Sequence, residues 1–148
     1  MSAPLSIRFN DDLLDRLLKR ARGIPGATPS GLAQLLIDEG LRLAEHPGIV
    51  FKDGPTGRRA ALPMGPDLWE VVTYIKESGE RGDLAIEAAA KALCVPSARV
   101  RAALDYFATY RDEIEEEMAE AIEASRIAEA AWESRRCWPR NYADAATA

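Results

Sequence analysis

The sequence predicts a mainly α protein in two parts. The first is a strand followed by two helices that needs a second copy to fold. The second is a helical bundle containing a helix-turn-helix-like element and a long amphipathic helix. Three observations predict this. Leu5 to Asn10, LSIRFN, alternates apolar and polar residues as a lone short strand. Two amphipathic runs with marked starts follow it, DDLLDRLLKRAR and GLAQLLIDEGLRLAEH. Beyond a Gly/Pro-rich stretch, apolar residues recur at helical spacing as far as Trp132. The expected organisation is 1–46 for the strand and two helices, and 47–66 for a connector or hairpin. A helical domain for partner binding or oligomerisation should span 67–136, with a flexible tail at 137–148.

A lone strand leaves its backbone donors and acceptors unpaired, so the expected mate is the same strand of a second copy. Two such strands, antiparallel, form a ribbon narrow enough for the major groove of DNA. Alternation puts Leu5, Ile7 and Phe9 on one face and Ser6 and Arg8 on the other, with Pro4 on the latter side at the start. The apolar face needs cover, which two amphipathic helices supply, leaving Ser6 and Arg8 outward. Arg suits paired contacts to guanine, and Ser donates or accepts. The alternative is an ordinary edge strand of a helical domain, with Arg8 a plain surface residue.

Asn10 is placed to cap the first helix, with Asp11 and Asp12 in the dipole-favoured first turn. Leu13, Leu14, Leu17, Leu18 and Ala21 form its apolar stripe; Lys19, Arg20 and Arg22 fall in its last turn. Thr28 is placed to cap the second helix, Pro29 suits its first position, and Ser30 and Gly31 are expected to leave free amides for an anion such as a DNA phosphate. Leu32, Leu36 and Leu41 share a face that Leu35 and Ile37 widen. Gly40, inside this helix, costs about 1 kcal/mol relative to Ala; close approach to a second copy would explain it, as would a simple flaw.

The order strand, capped helix, short loop, capped helix from Pro4 to about His46 resembles the ribbon-helix-helix repressors of the Arc and MetJ type. The resemblance implies an obligate intertwined dimer that reads double-stranded operator DNA with Ser6 and Arg8 and grips phosphate near Thr28, Ser30 and Gly31. Two features depart from the pattern: Pro4 removes a ribbon donor, and the loop GIPGATPS is long.

In HPGIVFKDGPTGRRAALPMGPD, GIVF and RRAAL read as two short strands around a turn-rich loop. Lys52, Arg58 and Arg59 make it locally basic, so the segment is either a wing that touches DNA or a solvated connector. It has no Gly-Lys-Ser/Thr ending and is no phosphate loop. DLWEVVTYIKES follows as a helix capped by Asp67, with Leu68, Val71, Val72 and Ile75 on its apolar side. In DLAIEAAAKALCVPSARVRAALDYFATYRDEI, Asp83 caps one helix, Val95-Pro96 ends it and Ser97 caps the next. This spacing resembles a helix-turn-helix, with Arg99 and Arg101 as candidate DNA or partner contacts, though such bundles also serve protein binding. Leu93, Val100, Leu104 and Phe107 are expected in the core. The stretch from HPGIVFKDGPTGRR to YRDEIEEEM also resembles a small helical domain of bacterial toxin–antitoxin operons, which implies an antitoxin role beside a toxin with a PIN-like nuclease fold.

From Arg111 onward the sequence reads as one long amphipathic helix, with Ile114, Met118, Ala121, Ile122, Ser125, Ala128 and Trp132 along one face. That stripe must bury against its own bundle, a second subunit or a toxin groove. Trp132, Arg135, Arg136, Trp138 and Arg140 are the candidate toxin-binding residues, since Arg and aromatics dominate interface energies; Tyr142 follows them. The resemblance implies that an Arg of this tail enters the carboxylate-lined metal site of the nuclease. The alternative is a frayed tail.

Net charge is −5, but the distribution matters more than the sum. Residues 1–22 hold five basic and three acidic side chains, and residues 111–136 hold four basic and nine acidic. The acid therefore concentrates far from the ribbon, and DNA affinity should be salt-dependent. Cys94 and Cys137 lack metal spacing and His46 is the sole histidine, so neither a zinc site nor a cofactor is expected. Cys94, at an apolar helix end, is expected to be a packed small residue. The carboxylates of EIEEEM are expected along an exposed helix, converging on no pocket, and the chain is not expected to be an enzyme. With no apolar run of membrane-span length and no visible signal peptide, the expected location is the cytoplasm. Three functions remain: an autorepressing antitoxin, a stand-alone ribbon-helix-helix regulator whose second half oligomerises or senses a ligand, and a helical scaffold with no DNA role.

Overall fold

The computed structural model describes residues 4–54 and 57–136. Among them the chain is mainly helical, with six helices and one two-stranded antiparallel sheet. It divides into two compact units, Met1–Pro47 and Gly48–Ala148. The expected tail at 137–148 lies outside the described residues.

The first unit holds α1 (Asp11–Arg22) and α2 (Pro29–Glu45), which pack on each other. Both begin where short-range chemistry dictates. The Asn10 side chain accepts from the Leu13 amide at 2.8 Å, and Thr28 Oγ1 accepts from the Gly31 amide at 3.1 Å, each satisfying a first-turn donor that has no helical acceptor. Ala21 and Leu32 are buried. Residues 4–10 belong to no helix or strand of the single chain.

The second unit opens with the hairpin of β1 (Val50–Gly54) and β2 (Gly57–Ala61), in the register Val50↔Ala61 to Gly54↔Gly57. Of the two readings of 47–66 the hairpin holds, and it is part of the core: Ile49, Ala60 and Leu62 are buried in the cluster formed by the helices. Pro55 and Thr56, between the two strands in sequence, lie outside the described residues. The turn after β2 is closed by Leu62 donating to the Pro66 carbonyl at 3.0 Å. α3 (Leu68–Glu77) starts at the expected cap Asp67, whose amide donates to Glu70 Oε1 at 3.1 Å. α4 (Gly82–Ala92) and α5 (Ser97–Thr109) follow, then α6 (Arg111–Arg136). Leu68, Val71 and Val72 of α3, Ala89 of α4, Val100, Ala103 and Tyr106 of α5 and Ile114 of α6 are fully enclosed. The expected core residues Leu93, Leu104 and Phe107 pack against this cluster partly buried.

Three local expectations are corrected. Asp83 is not a cap: Arg81 holds that position, Asp83 sits in the first turn, and its carboxylate takes an ion pair from Arg101 at 3.0 Å. Ser97 is the first residue of α5, with Pro96 at the cap; helix ends are set within a residue or two by packing as much as by capping chemistry. Cys94 is exposed, not packed. It occupies the left-handed region (φ 54°) just past α4, where the Val95 amide reaches Ala90 O and the Cys94 amide reaches Lys91 O. This is a Schellman closure at a position that glycine favours.

Candidate nucleic-acid interface

In the first unit, the residues expected to read DNA lie on the segment that enters α1. Pro4, Ser6 and Arg8 are all exposed, and Asn10 ties the segment's end to the first turn of α1. Among the described residues Arg8, Arg20 and Arg22 enter no ion pair, whereas Arg16, Lys19 and Arg42 pair with Asp12, Asp15 and Asp38 one turn away. Thr28 and Ser30 are exposed at the start of α2, which carries no acidic residue in its first turn. The expectation of a free amide at Gly31 is corrected: that donor is occupied by Thr28 Oγ1. A cap satisfies this donor before any ligand arrives.

The apolar stripes of this unit are largely uncovered in the single chain. Leu5, Ile7, Leu13, Leu14, Leu36 and Leu41 are exposed, Leu5 by 82%. A Cβ built on Gly40 would meet open space. The two helices and the segment before them leave most of their leucines exposed, and such surface is characteristic of an interaction site.

In the second unit the five candidate cations are engaged by the chain itself. Lys52 Nζ lies 2.7 Å from Asp67 Oδ1 and donates to the Gly65 carbonyl at 3.2 Å. Arg58 donates to its cross-strand mate Asp53 at 3.1 Å and to the Phe51 carbonyl. Arg59 is buried and donates to Glu120 at 3.2 Å. Arg99 donates to the Pro63 carbonyl at 2.8 Å, and Arg101 holds Asp83. These bonds tie hairpin, turn and helices together.

Along α6 the predicted stripe is buried only near its start. Ile114 is enclosed and Met118 partly so, but Ile122 and Trp132 are exposed, the latter by 62%. Arg135 and Arg136 are exposed at its end, while Trp138, Arg140 and Cys137 lie outside the described residues. The expectation that EIEEEM is wholly exposed is corrected: Glu117 is 9% accessible and faces inward. Burial pushes its pKa up to about 7, against the lowering influence of Arg59. Sequence reasoning missed this residue. Its signal was its place three residues after Ile114, on the same face of the helix.

Among the described residues no group of three or more His, Cys, Asp or Glu side chains is placed to hold a metal. No helix of the described residues is long and apolar enough to cross a membrane. No family model, curated protein or solved structure matches the chain.

Proposed function

We propose that this chain is an antitoxin-type repressor: a ribbon-helix-helix dimer that binds operator DNA through its first unit and holds a PIN-like ribonuclease toxin through the end of its second. It acts by binding, with no cofactor and no catalysis of its own. The observation that carries the reading is the combination, in one small unit, of uncovered apolar stripes and a leading segment, residues 4–10, that joins no helix or strand of the single chain. A second copy would answer both needs at once. Strand pairing would satisfy the backbone of residues 5–9, and Leu5, Ile7, Leu36 and Leu41 would leave water. Ser6 and Arg8 would then stand outward in duplicate, at groove width. Supporting the partner role is the distal half of α6, which exposes Ile122, Ile127 and Trp132 on a helix the bundle does not cover.

The test is a binding titration on the DNA upstream of this chain's own reading frame, wild type beside Arg8→Ala. Loss of a guanine contact should cost roughly 1–3 kcal/mol per half-site, and wild-type affinity should fall steeply with salt. Equal binding by the two proteins removes Arg8 from the interface. Co-expression with the adjacent gene product tests the second half. Retention of a ribonuclease with its activity suppressed supports the antitoxin reading, and DNA binding without such retention leaves a stand-alone regulator.

A further inference from the structure

The first three turns of α6 lie against α3 and α5, with Arg59 of β2 reaching Glu120 from the hairpin. One buried guanidinium here faces more than one carboxylate. Arg59 donates to Glu120 Oε2 at 3.2 Å. Glu117 Oε2 is fully enclosed, yet finds no hydrogen-bond partner among the described residues. The surrounding charges do not relieve it. Glu113, one turn earlier on α6, accepts from Tyr106 Oη of α5 at 3.0 Å. Asp67, at the start of α3, is held by Lys52 of β1 at 2.7 Å. All three carboxylates, Glu113, Glu120 and Asp67, act on Glu117 in the same direction as its burial, and Arg59 opposes them. An ionised carboxylate enclosed without a partner is costly, and the inexpensive remedies are to bind a proton or to move.

We propose that Glu117 is a proton-operated latch at the root of α6: neutral, its enclosed carboxyl leaves α6 seated; ionised, with no hydrogen-bond partner for Oε2 among the described residues, it moves toward water and loosens the first turns of α6 from α3 and α5. The proton leaves to solvent and no other group need titrate. Because Glu117 changes charge near neutrality, the seating of α6 responds to pH in the range where cells work. This inference rests on the second unit alone and stands whether or not the chain binds DNA or a toxin.

The experiment uses the full chain. Carbon-detected NMR follows the Glu117 carboxyl between pH 4 and 9, and amide exchange, corrected for its intrinsic pH dependence, follows residues 111–121. The expected result is a Glu117 midpoint well above that of the exposed Glu116, with protection of 111–121 falling about tenfold between pH 6 and pH 8. Glu117→Gln should abolish that fall, whereas Glu116→Gln should preserve it. A Glu117 midpoint in the ordinary carboxylate range overturns the proposal in the wild-type protein alone, without reliance on any variant. So does the same loss of protection in Glu117→Gln as in wild type.

Discussion

At Glu117, one enclosed carboxylate makes the stability of the second unit depend on pH, and the sign follows from its neighbours. Its folded-state pKa, about 7, stands above the ordinary glutamate value of 4.5. Between these values the folded chain binds more protons than the unfolded one, so the unfolding free energy falls as pH rises through that window. The loss should reach about 1–3 kcal/mol by pH 8, read as the unfolding midpoint in urea at pH 5 and pH 8. Glu117→Gln should flatten this dependence and be the more stable protein at pH 8; an unchanged slope would remove Glu117 as its source. Cys94 is a second residue whose effect is set by local geometry. An L-residue in the left-handed region is strained, and glycine is not. Its side chain is exposed, so replacement leaves no cavity, and Cys94→Gly should stabilise the second unit by about 0.5–1 kcal/mol. A lower melting temperature in that variant would show that the thiol makes a contact of greater value than the relief of strain.

Among the elements, those read correctly from sequence are the ones decided within three or four residues. Asn10, Thr28 and Asp67 each start a helix as expected, because a cap needs only its own side chain and the amide three positions on. The hairpin was legible from two short apolar runs around a turn, but not its membership of the core, which depends on helices that follow it, from Leu68 of α3 to Ile114 of α6. Asp83 and Ser97 have capping side chains and still miss the cap, since the packing of α4 on α5 fixes where those helices begin. Arg59 with Glu120 was illegible for the same reason: the two are 61 positions apart. The candidate DNA residues Pro4, Ser6, Arg8 and Thr28 are exposed, but so are Leu5 and Ile7: sorting the two faces of this segment depends on a second copy that no single-chain pattern can supply. α6 exposes the same limit from the other side. Its periodic stripe predicts burial to Trp132, but the bundle is short and covers only the start. Ala119, Ala121, Ala124, Ala128, Ala130 and Ala131 favour helix without tertiary help. The distal half therefore adds little to the fold, and a chain ended after Ala121 should unfold at the wild-type midpoint while losing retention of the proposed toxin partner. A large drop in stability would mean that this half packs within the chain.

For the molecule as a whole, the two units should differ in how their stability depends on concentration. The second encloses its own core, with Leu62, Leu68, Val71, Val100, Tyr106 and Ile114 almost wholly shielded. The first buries Ala21 and Leu32 but leaves most of its leucines in water, and a unit of under fifty residues has little core to spare. If the uncovered stripes close on a second copy, folding of the first unit is coupled to association, and dilution must lower its melting temperature by mass action. Unfolding of the second unit should not move. A full-length chain followed over a hundredfold range of concentration should show one transition that shifts and one that stays fixed. Leu36→Glu, which places a charge in the uncovered stripe, should abolish the shifting transition and DNA binding together while sparing the fixed one. If both transitions prove independent of concentration and the chain sediments as a monomer, the first unit has no second copy, and Ser6 and Arg8 cannot form a paired reading surface.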